Sequence, residues 1–411
     1  MRILVVSTEL PYPANHGGKV DIWSRLQSLA VAGAQLHLVC WANQFAGEQV
    51  DDASLRAILA VVTGLTVFPM NRVFAHPAML LRYPSSATIR WVGDEALQSE
   101  MAAIQQFRPQ AVLLEGLGGG LLAMRLAAKC QVPLFYRSQN IEHFYVAALL
   151  RRVKGARNRL VGLTNLFTTL SFEEKVLRAA KRFFDISNAD LQFWQQRGYT
   201  NGQWLPPIVD MPRAEKLSTP EYWQPAFDVA YVGNLFATNN VEGVLWFLRE
   251  VLPLLRAQRP QLSLFIAGSR PLPEVLAAAA EGGATVVANP DDVVPHLRNA
   301  RVLVNPVFAG SGMNIKSVEM LFTPAALVST AQGLQGLPTH VRAEFAQADT
   351  AQAFAAAVAV ALAASHCGVS TSRVLARDEF SPNQVEAVLA HMKACVPCSG
   401  ATARMTPTEA A

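Results

Sequence analysis

Lys316 and Glu319 stand one helical turn apart just beyond a glycine turn, Gly310-Ser311-Gly312, and this pairing is the clearest place for chemistry in the chain. An ammonium suits a diphosphate; a carboxylate suits a ribose diol, from which it accepts two hydrogen bonds. Ahead of the turn, residues 301–304 are an apolar run that reads as a buried strand. Behind it, Ile315, Val318, Leu321 and Phe322 recur at helical spacing. Strand, glycine turn and helix start leave backbone N–H groups unpaired, and the helix dipole favours an anion there. A short loop that needs glycine only in order to turn would look the same.

Other post-strand loops have similar chemistry. Gly17-Gly18 opens the first helix after the first strand, so its amides can face an anion. Gln139, Asn140, Glu142 and His143 form a polar cluster after another strand: Gln139 or Asn140 can bind hydroxyls, Glu142 or His143 can exchange a proton, and Asn140 can equally cap a helix. Gly233-Asn234 follows a later strand, and Asn239-Asn240 precedes a helix carrying Trp246 and Phe247, adjacent positions of which one is expected in the core. Residues 287–292 are a further loop, read as a nucleobase contact or as a turn capped by Asp291 or Asp292. Residues 151–159 carry five cations, a segment that is either a solvated basic face or a contact with anionic lipid.

These loops need a scaffold, and the sequence describes one. Apolar strand-like segments alternate with helical ones through the first half, which implies parallel βαβ units and a doubly wound sheet. Pro206, Pro207 and Pro212 interrupt the alternation, and the stretch to Pro225 reads as an inter-domain linker before the pattern restarts. With 411 residues, two domains are expected. The boundaries predicted are 1–205 for an N-terminal Rossmann-like domain, 206–380 for a C-terminal one, 381–393 for a helix packing back towards the first, and 394–411 for a disordered tail. Ligands of such sheets lie outside the carboxyl ends of the strands.

Composition narrows the class. A hydrophobic share of 51% against 16% charged residues fits a compact enzyme-like globule, and a net charge of +4 lacks the concentrated basic stripe of a nucleic-acid binder. No apolar run reaches the length of a membrane span, and the polar turn after residue 6 does not suit a signal peptide, so a cytoplasmic protein is expected. The Cys395–Cys398 spacing has no second ligand pair, and no metal site is predicted from it. The segment 74–86, with Met79, Leu80, Leu81 and Tyr83, is awkwardly apolar for a loop and is expected to cover a cleft or touch lipid.

In the order and spacing of Pro11–Lys19, Gln139-Asn140-Ile141-Glu142, residues 187–190, Gly233 with residues 240–247, Ala267-Gly268-Ser269, Gly310-Ser311-Gly312 with Lys316 and Glu319, and residues 329–337, the chain resembles the GT-B glycosyltransferases, closest to the GT4-like group. That resemblance implies two Rossmann-like domains facing across a cleft, a donor nucleotide sugar held by the second and a hydroxyl acceptor held by the first. It also implies a retaining reaction with no metal or other cofactor. Carried over, Glu319 holds the ribose, and the amides of Gly312, Met313 and Asn314 meet the sugar or phosphates. Gly17 and Gly18 approach the diphosphate from the opposite wall, and Lys316 supplies the cation. His16, Gln139 and Asn140 fall on the acceptor side.

The departures from the group's pattern matter. Ser311 replaces a glutamate, and Asn234 and Asn239 replace basic residues, shifting weight to Lys316 or Arg270. Gln139 replaces a histidine, leaving Glu142 or His143 as substitute bases. The expectation is a hexosyltransferase of surface polysaccharide or lipid-linked glycan synthesis, cytoplasmic, with residues 151–159 as the candidate for a peripheral membrane contact. A nucleotide-sugar 2-epimerase and a catalytically degenerate binding subunit are the alternatives.

Overall fold

The computed structural model describes residues 1–14, 17–43, 51–73, 75–151, 153–218, 223, 225–290, 292–310, 313–364 and 369–396. His16, Ser311, Gly312, Asp291 and everything from residue 397, including Cys398 and the expected tail, lie outside the described residues.

Strands β1 (Arg2–Ser7), β2 (Gln35–Ala42), β3 (Gly64–Pro69), β4 (Ala111–Glu115), β5 (Leu134–Ser138), β6 (Arg182–Asp185) and β7 (Gly202–Trp204) form one sheet, ordered β3-β2-β1-β4-β5-β6-β7. Strands β8 (Phe227–Val232), β9 (Leu264–Gly268), β10 (Thr285–Ala288), β11 (Ala300–Asn305), β12 (Ala326–Ser329) and β13 (Ala346–Gln347) form the other, ordered β10-β9-β8-β11-β12-β13. The recorded pairings in both sheets are parallel. The doubly wound α/β architecture expected from the alternation is thus present in both halves.

Side-chain alternation builds a core on each face of each sheet. In β1, Leu4 and Val6 enter one core while Ile3 and Val5 enter the other. In β8, Tyr231 joins the core under the helix Thr238–Trp246, whereas Ala230 and Val232 face the opposite core with Val318 and Leu321. Strand order reverses between β1 and β4 in the first sheet and between β8 and β11 in the second. Crevices therefore open at the carboxyl ends of those pairs.

The polypeptide passes between the lobes twice. Residues 205–210 lead into the second lobe. The chain returns near Phe380, and the helix Asn383–Cys395 buries Val385, Val388, Leu389 and Met392 against Ile3, Ile22 and Leu26 of the first. The two crossings touch, with Val209 N donating to Phe380 O at 2.9 Å.

The segment read as a bare linker holds a helix, Met211–Ser218. Asp210 starts it, its Oδ1 accepting from Arg213 N at 2.9 Å, and Pro212 sits in its first turn where no N–H is needed. The segment containing Met79 and Tyr83 folds as a short turn, Pro77–Leu81, and a helix, Ser85–Thr88. Met79 and Tyr83 pack on the first lobe's core, with Tyr83 edge-on to Phe172 at 5.8 Å.

Candidate functional site

A cavity of about 810 Å³ lies between the lobes, at the carboxyl ends of both reversal pairs. Gly17, Gly18, Asp21, Gln139 and Asn140 line it from the first lobe; Gly233, Asn234, Gly310, Met313, Asn314, Lys316 and Glu319 line it from the second. The lips approach closely, since a Cβ built at Gly17 would stand 3.4 Å from Ile315 Cδ1. Glycine at that point leaves the backbone of the first helix, Gly17–Val31, open to the gap.

Lys316 opens the floor of the second lobe. Its helix, Ile315–Leu321, begins beyond the glycine turn, and the preceding Asn314 makes no side-chain cap bond, which leaves the first amides for another partner. The Lys316 Nζ donates to Tyr231 OH at 2.9 Å and to the Oδ1 atoms of Asn240 and Asn305 at 3.3 Å each. It also stands 4.2 Å from the centre of the Tyr231 ring. Asn240 is oriented in turn by Asn234, whose Oδ1 accepts from Asn240 Nδ2 at 2.9 Å. The amine needs Gly233 below it, because a Cβ there would lie 2.9 Å from Lys316 Cε. All three partners are neutral, so burial lowers the ammonium to about 7, with Glu319 opposing the shift. This cation is poised for an anion that the protein itself does not provide.

A measurable consequence follows for the ligand-free protein. The lysine carries its proton in the unfolded chain up to about pH 10.5 but gives it up near pH 7 in the fold. Across that interval the unfolded state binds more protons, so stability rises with pH, by on the order of 5 kcal/mol in total. Urea unfolding of the wild type and of Lys316→Met at about pH 7 and about pH 9 reads the difference. The wild type should gain on the variant as pH rises; parallel behaviour would mean that the amine is fully solvated.

Glu319 lines the cavity one turn on, and its Oε1 accepts from Arg213 Nε at 2.8 Å and from the other guanidinium branch at 2.5 Å. Arg213 comes from the helix between the lobes, and the Glu319 charge raises its pKa. Both contacts fall on Oε1, so neither occupies Oε2. Asp210, Pro212, Arg213 and Lys216 all line the cavity, so the inter-lobe helix is a wall of the site. Sequence reasoning missed them because three prolines read as a break. An Asp followed by Pro two residues on is itself a helix-start signal that would have found them.

On the opposite wall, Gln139 Nε2 and Asn140 Oδ1 are buried side-chain atoms without a hydrogen-bond partner among the described residues. Both residues line the cavity. The cavity floor includes Asp21, part of a buried ion network: Arg25 forks onto Glu115 at 2.7 and 2.6 Å and onto Asp21 at 2.9 Å, and Arg137 reaches Asp21 at 3.3 Å.

Three residues expected at the site stand elsewhere. Arg270 does not line the cavity: its φ of 49° turns it away, and its guanidinium stacks 3.5 Å from the centre of the Phe236 ring. Glu142 and His143 also fall outside the lining. The chain enters the helix Glu142–Leu150 there, and Glu173 captures its start, accepting from Glu142 N at 2.8 Å, His143 N at 3.3 Å and His143 Nδ1 at 2.6 Å. His143 is packed against Phe144, Phe193 and Trp194. Burial and the neighbouring Glu173 raise Glu142 to about 7. Among the described residues no three His, Cys, Asp or Glu converge as metal ligands, and no helix is long and apolar enough to cross a membrane.

Residues 226–364, which hold the second sheet, Glu319, and Lys316 with its hydrogen-bond partners, match the family model of glycosyl transferases group 1. The second lobe is a glycosyl transferases group 1 domain. The whole fold is that of GT-B glycosyltransferases. The Anabaena protein HepE in complex with UDP superposes with a TM-score of 0.65 over 96% of this chain and 100% of that one, at 13% identity. Sucrose-phosphate synthase from Thermosynechococcus elongatus gives 0.64 over 96% and 98%, at 12% identity. In sequence, the chain is 23% identical over 354 residues to an uncharacterized 44.6 kDa protein in the cps region of Klebsiella pneumoniae, covering 82% of this chain and 85% of that one. The group 1 domain thus contributes the cation and carboxylate of the cleft, and the N-terminal lobe contributes the wall of unpaired amides.

Proposed function

We propose that the cleft binds a nucleoside diphosphate sugar and that the protein transfers its hexose to a hydroxyl of a surface polysaccharide or lipid-linked glycan. The reaction retains configuration, uses no resident metal and runs on the cytoplasmic side of the membrane. The observation that carries this reading is Lys316, a partly buried amine surrounded by neutral partners at the carboxyl ends of β8 and β11, inside a group 1 domain. The solved complexes of HepE with UDP and with UDP-glucose support a nucleotide-sugar donor, and the relative from a cps region supports a polysaccharide product.

The chemistry assigned to each group follows from charge. When the anomeric C–O bond to the diphosphate breaks, the bonding pair goes to the phosphate oxygen, and negative charge grows there. A pre-aimed cation and backbone amides stabilise that charge most at the transition state. Lys316 is the cation, with the amides at Met313, Asn314, Gly17 and Gly18 around it. Glu319, held by Arg213, accepts from the ribose hydroxyls. The acceptor oxygen forms its bond to the anomeric carbon on the face the diphosphate leaves, and its proton passes to the departing phosphate oxygen. Gln139 and Asn140 offer hydrogen bonds to sugar hydroxyls, and no side-chain base is required. Glu142 and His143, the side chains read as an epimerase's acid and base, fall outside the cavity lining, which weakens that alternative.

A thermal-shift panel of UDP, GDP, ADP and their sugars tests the donor site, with product nucleotide release as the readout of transfer. A nucleotide at a hundredfold excess over its Kd should stabilise the fold by about 2.7 kcal/mol. No response to any of them would end this reading. Arg213→Ala should weaken nucleotide binding by about tenfold or more through loss of a charge-assisted bond to Glu319. Unchanged affinity in calorimetry would remove Glu319 from the ribose site or free it from dependence on Arg213.

A further inference from the structure

The helices Glu142–Leu150 and Ala156–Ala179 form a hairpin that leaves the body of the first lobe. It is clamped at its base, where Glu173 of the second helix holds the first turn of the first. The helices approach closely at the far end, where a Cβ on Gly162 would lie 2.4 Å from Leu150 Cδ1. Beyond the clamp the surface is unusually apolar. Every residue from Phe144 to Leu150 is aliphatic or aromatic. Leu160 and Phe167 are each 67% exposed, and Leu149 and Leu163 are exposed beside them. Leu160, Leu163 and Phe167 recur at intervals of three and four, so they share one face of their helix.

Charge specifies what covers this face. From His143 to Phe172 the sequence contains no Asp or Glu, yet it carries five cations between Arg151 and Arg159. Arg151, Lys154, Arg157 and Arg159 are all exposed around the tip. An apolar face ringed by cations and free of acids complements a surface of hydrocarbon beneath anionic headgroups. We infer that the tip of this hairpin docks the protein on an anionic lipid bilayer, with Leu160, Leu163 and Phe167 inserted at the headgroup boundary and the cations against the lipid phosphates. The first helix begins directly after Gln139 and Asn140, which line the cleft, so the docked hairpin presents that wall of the cleft to the bilayer. The purpose of docking rests on the reading of the acceptor as lipid-linked; the docking itself does not.

Co-sedimentation of the full chain with vesicles tests this without any nucleotide, so its outcome is separate from that of the donor assay. Phosphatidylcholine vesicles containing about 30 mol % phosphatidylglycerol should retain the protein, and plain phosphatidylcholine should not. Raising salt to about 1 M should release most of it. Leu160→Ser with Phe167→Ser, and separately Arg157→Glu with Arg159→Glu, should each lower partitioning by more than about tenfold, with the melting temperature unchanged because the side chains are solvent-facing. Equal partitioning into neutral and anionic vesicles overturns the inference, as does unaltered partitioning of both variants. So does concentration-dependent dimerisation in velocity sedimentation that the serine pair abolishes, which would assign the face to a second copy of the chain. The salt and lipid dependence of the wild type decides the matter even if a variant fails to fold.

Discussion

Lys316→Met should lower the transfer rate by about 10²- to 10³-fold, the scale on which pre-aimed charge acts at a transition state. It should do so without loosening the ligand-free protein. The amine sits among Tyr231, Asn240 and Asn305, none of which bears a charge, and its ammonium is held near pH 7 by burial. Removing a poorly solvated cation and filling the space with a thioether of similar length relieves that penalty, so the variant's melting temperature should equal or exceed that of the wild type at pH 7. Activity and stability then move in opposite directions, the pattern of a group retained for chemistry. A diphosphate entering the site favours the protonated amine, so nucleotide binding above pH 7 should take up protons. Calorimetry in buffers of different ionisation enthalpy measures that uptake. A variant that keeps its turnover, or binding without proton uptake at about pH 8, would dismiss Lys316 as the cation of the reaction.

Arg25→Met should have the largest effect on stability, about 3–5 kcal/mol. The guanidinium bridges Asp21 and Glu115, and all three side chains are almost fully shielded from water. Loss of Arg25 leaves two carboxylates in the interior with only Arg137 nearby, and Arg137 already donates to Leu205 O at 2.6 Å. The first lobe's melting temperature should fall by on the order of 10 °C in calorimetry. The exposed pair Arg178–Glu174 provides the contrast: Arg178→Ala should cost less than about 1 kcal/mol, because water screens that bridge. Similar costs for the two substitutions would mean that the interior network is solvated.

The sheets were legible in the sequence because their strands are continuous apolar runs, as strands covered on both faces must be. Lys316 and Glu319 were legible because a strand end and a helical repeat fix their geometry locally. Arg213 was not, because its role depends on the inter-lobe helix folding across a gap that no local pattern describes. Arg270 misled for a backbone reason, its left-handed φ turning the side chain onto Phe236. Glu142 and His143 misled for a tertiary one: Glu173, far along the chain, claims the turn on which they stand. Arg25 and Glu115 gave no sequence signal, since a buried ion pair and two surface charges are written with the same letters.

The contact between Val209 and Phe380 makes the two passages of chain between the lobes a single seam. Two passages of chain lying side by side give the lobes one shared hinge line, like the spine of a book. The helix bearing Arg213 buries Leu217 in the second lobe's core, so Arg213 and its partner Glu319 lie together on one side of that seam.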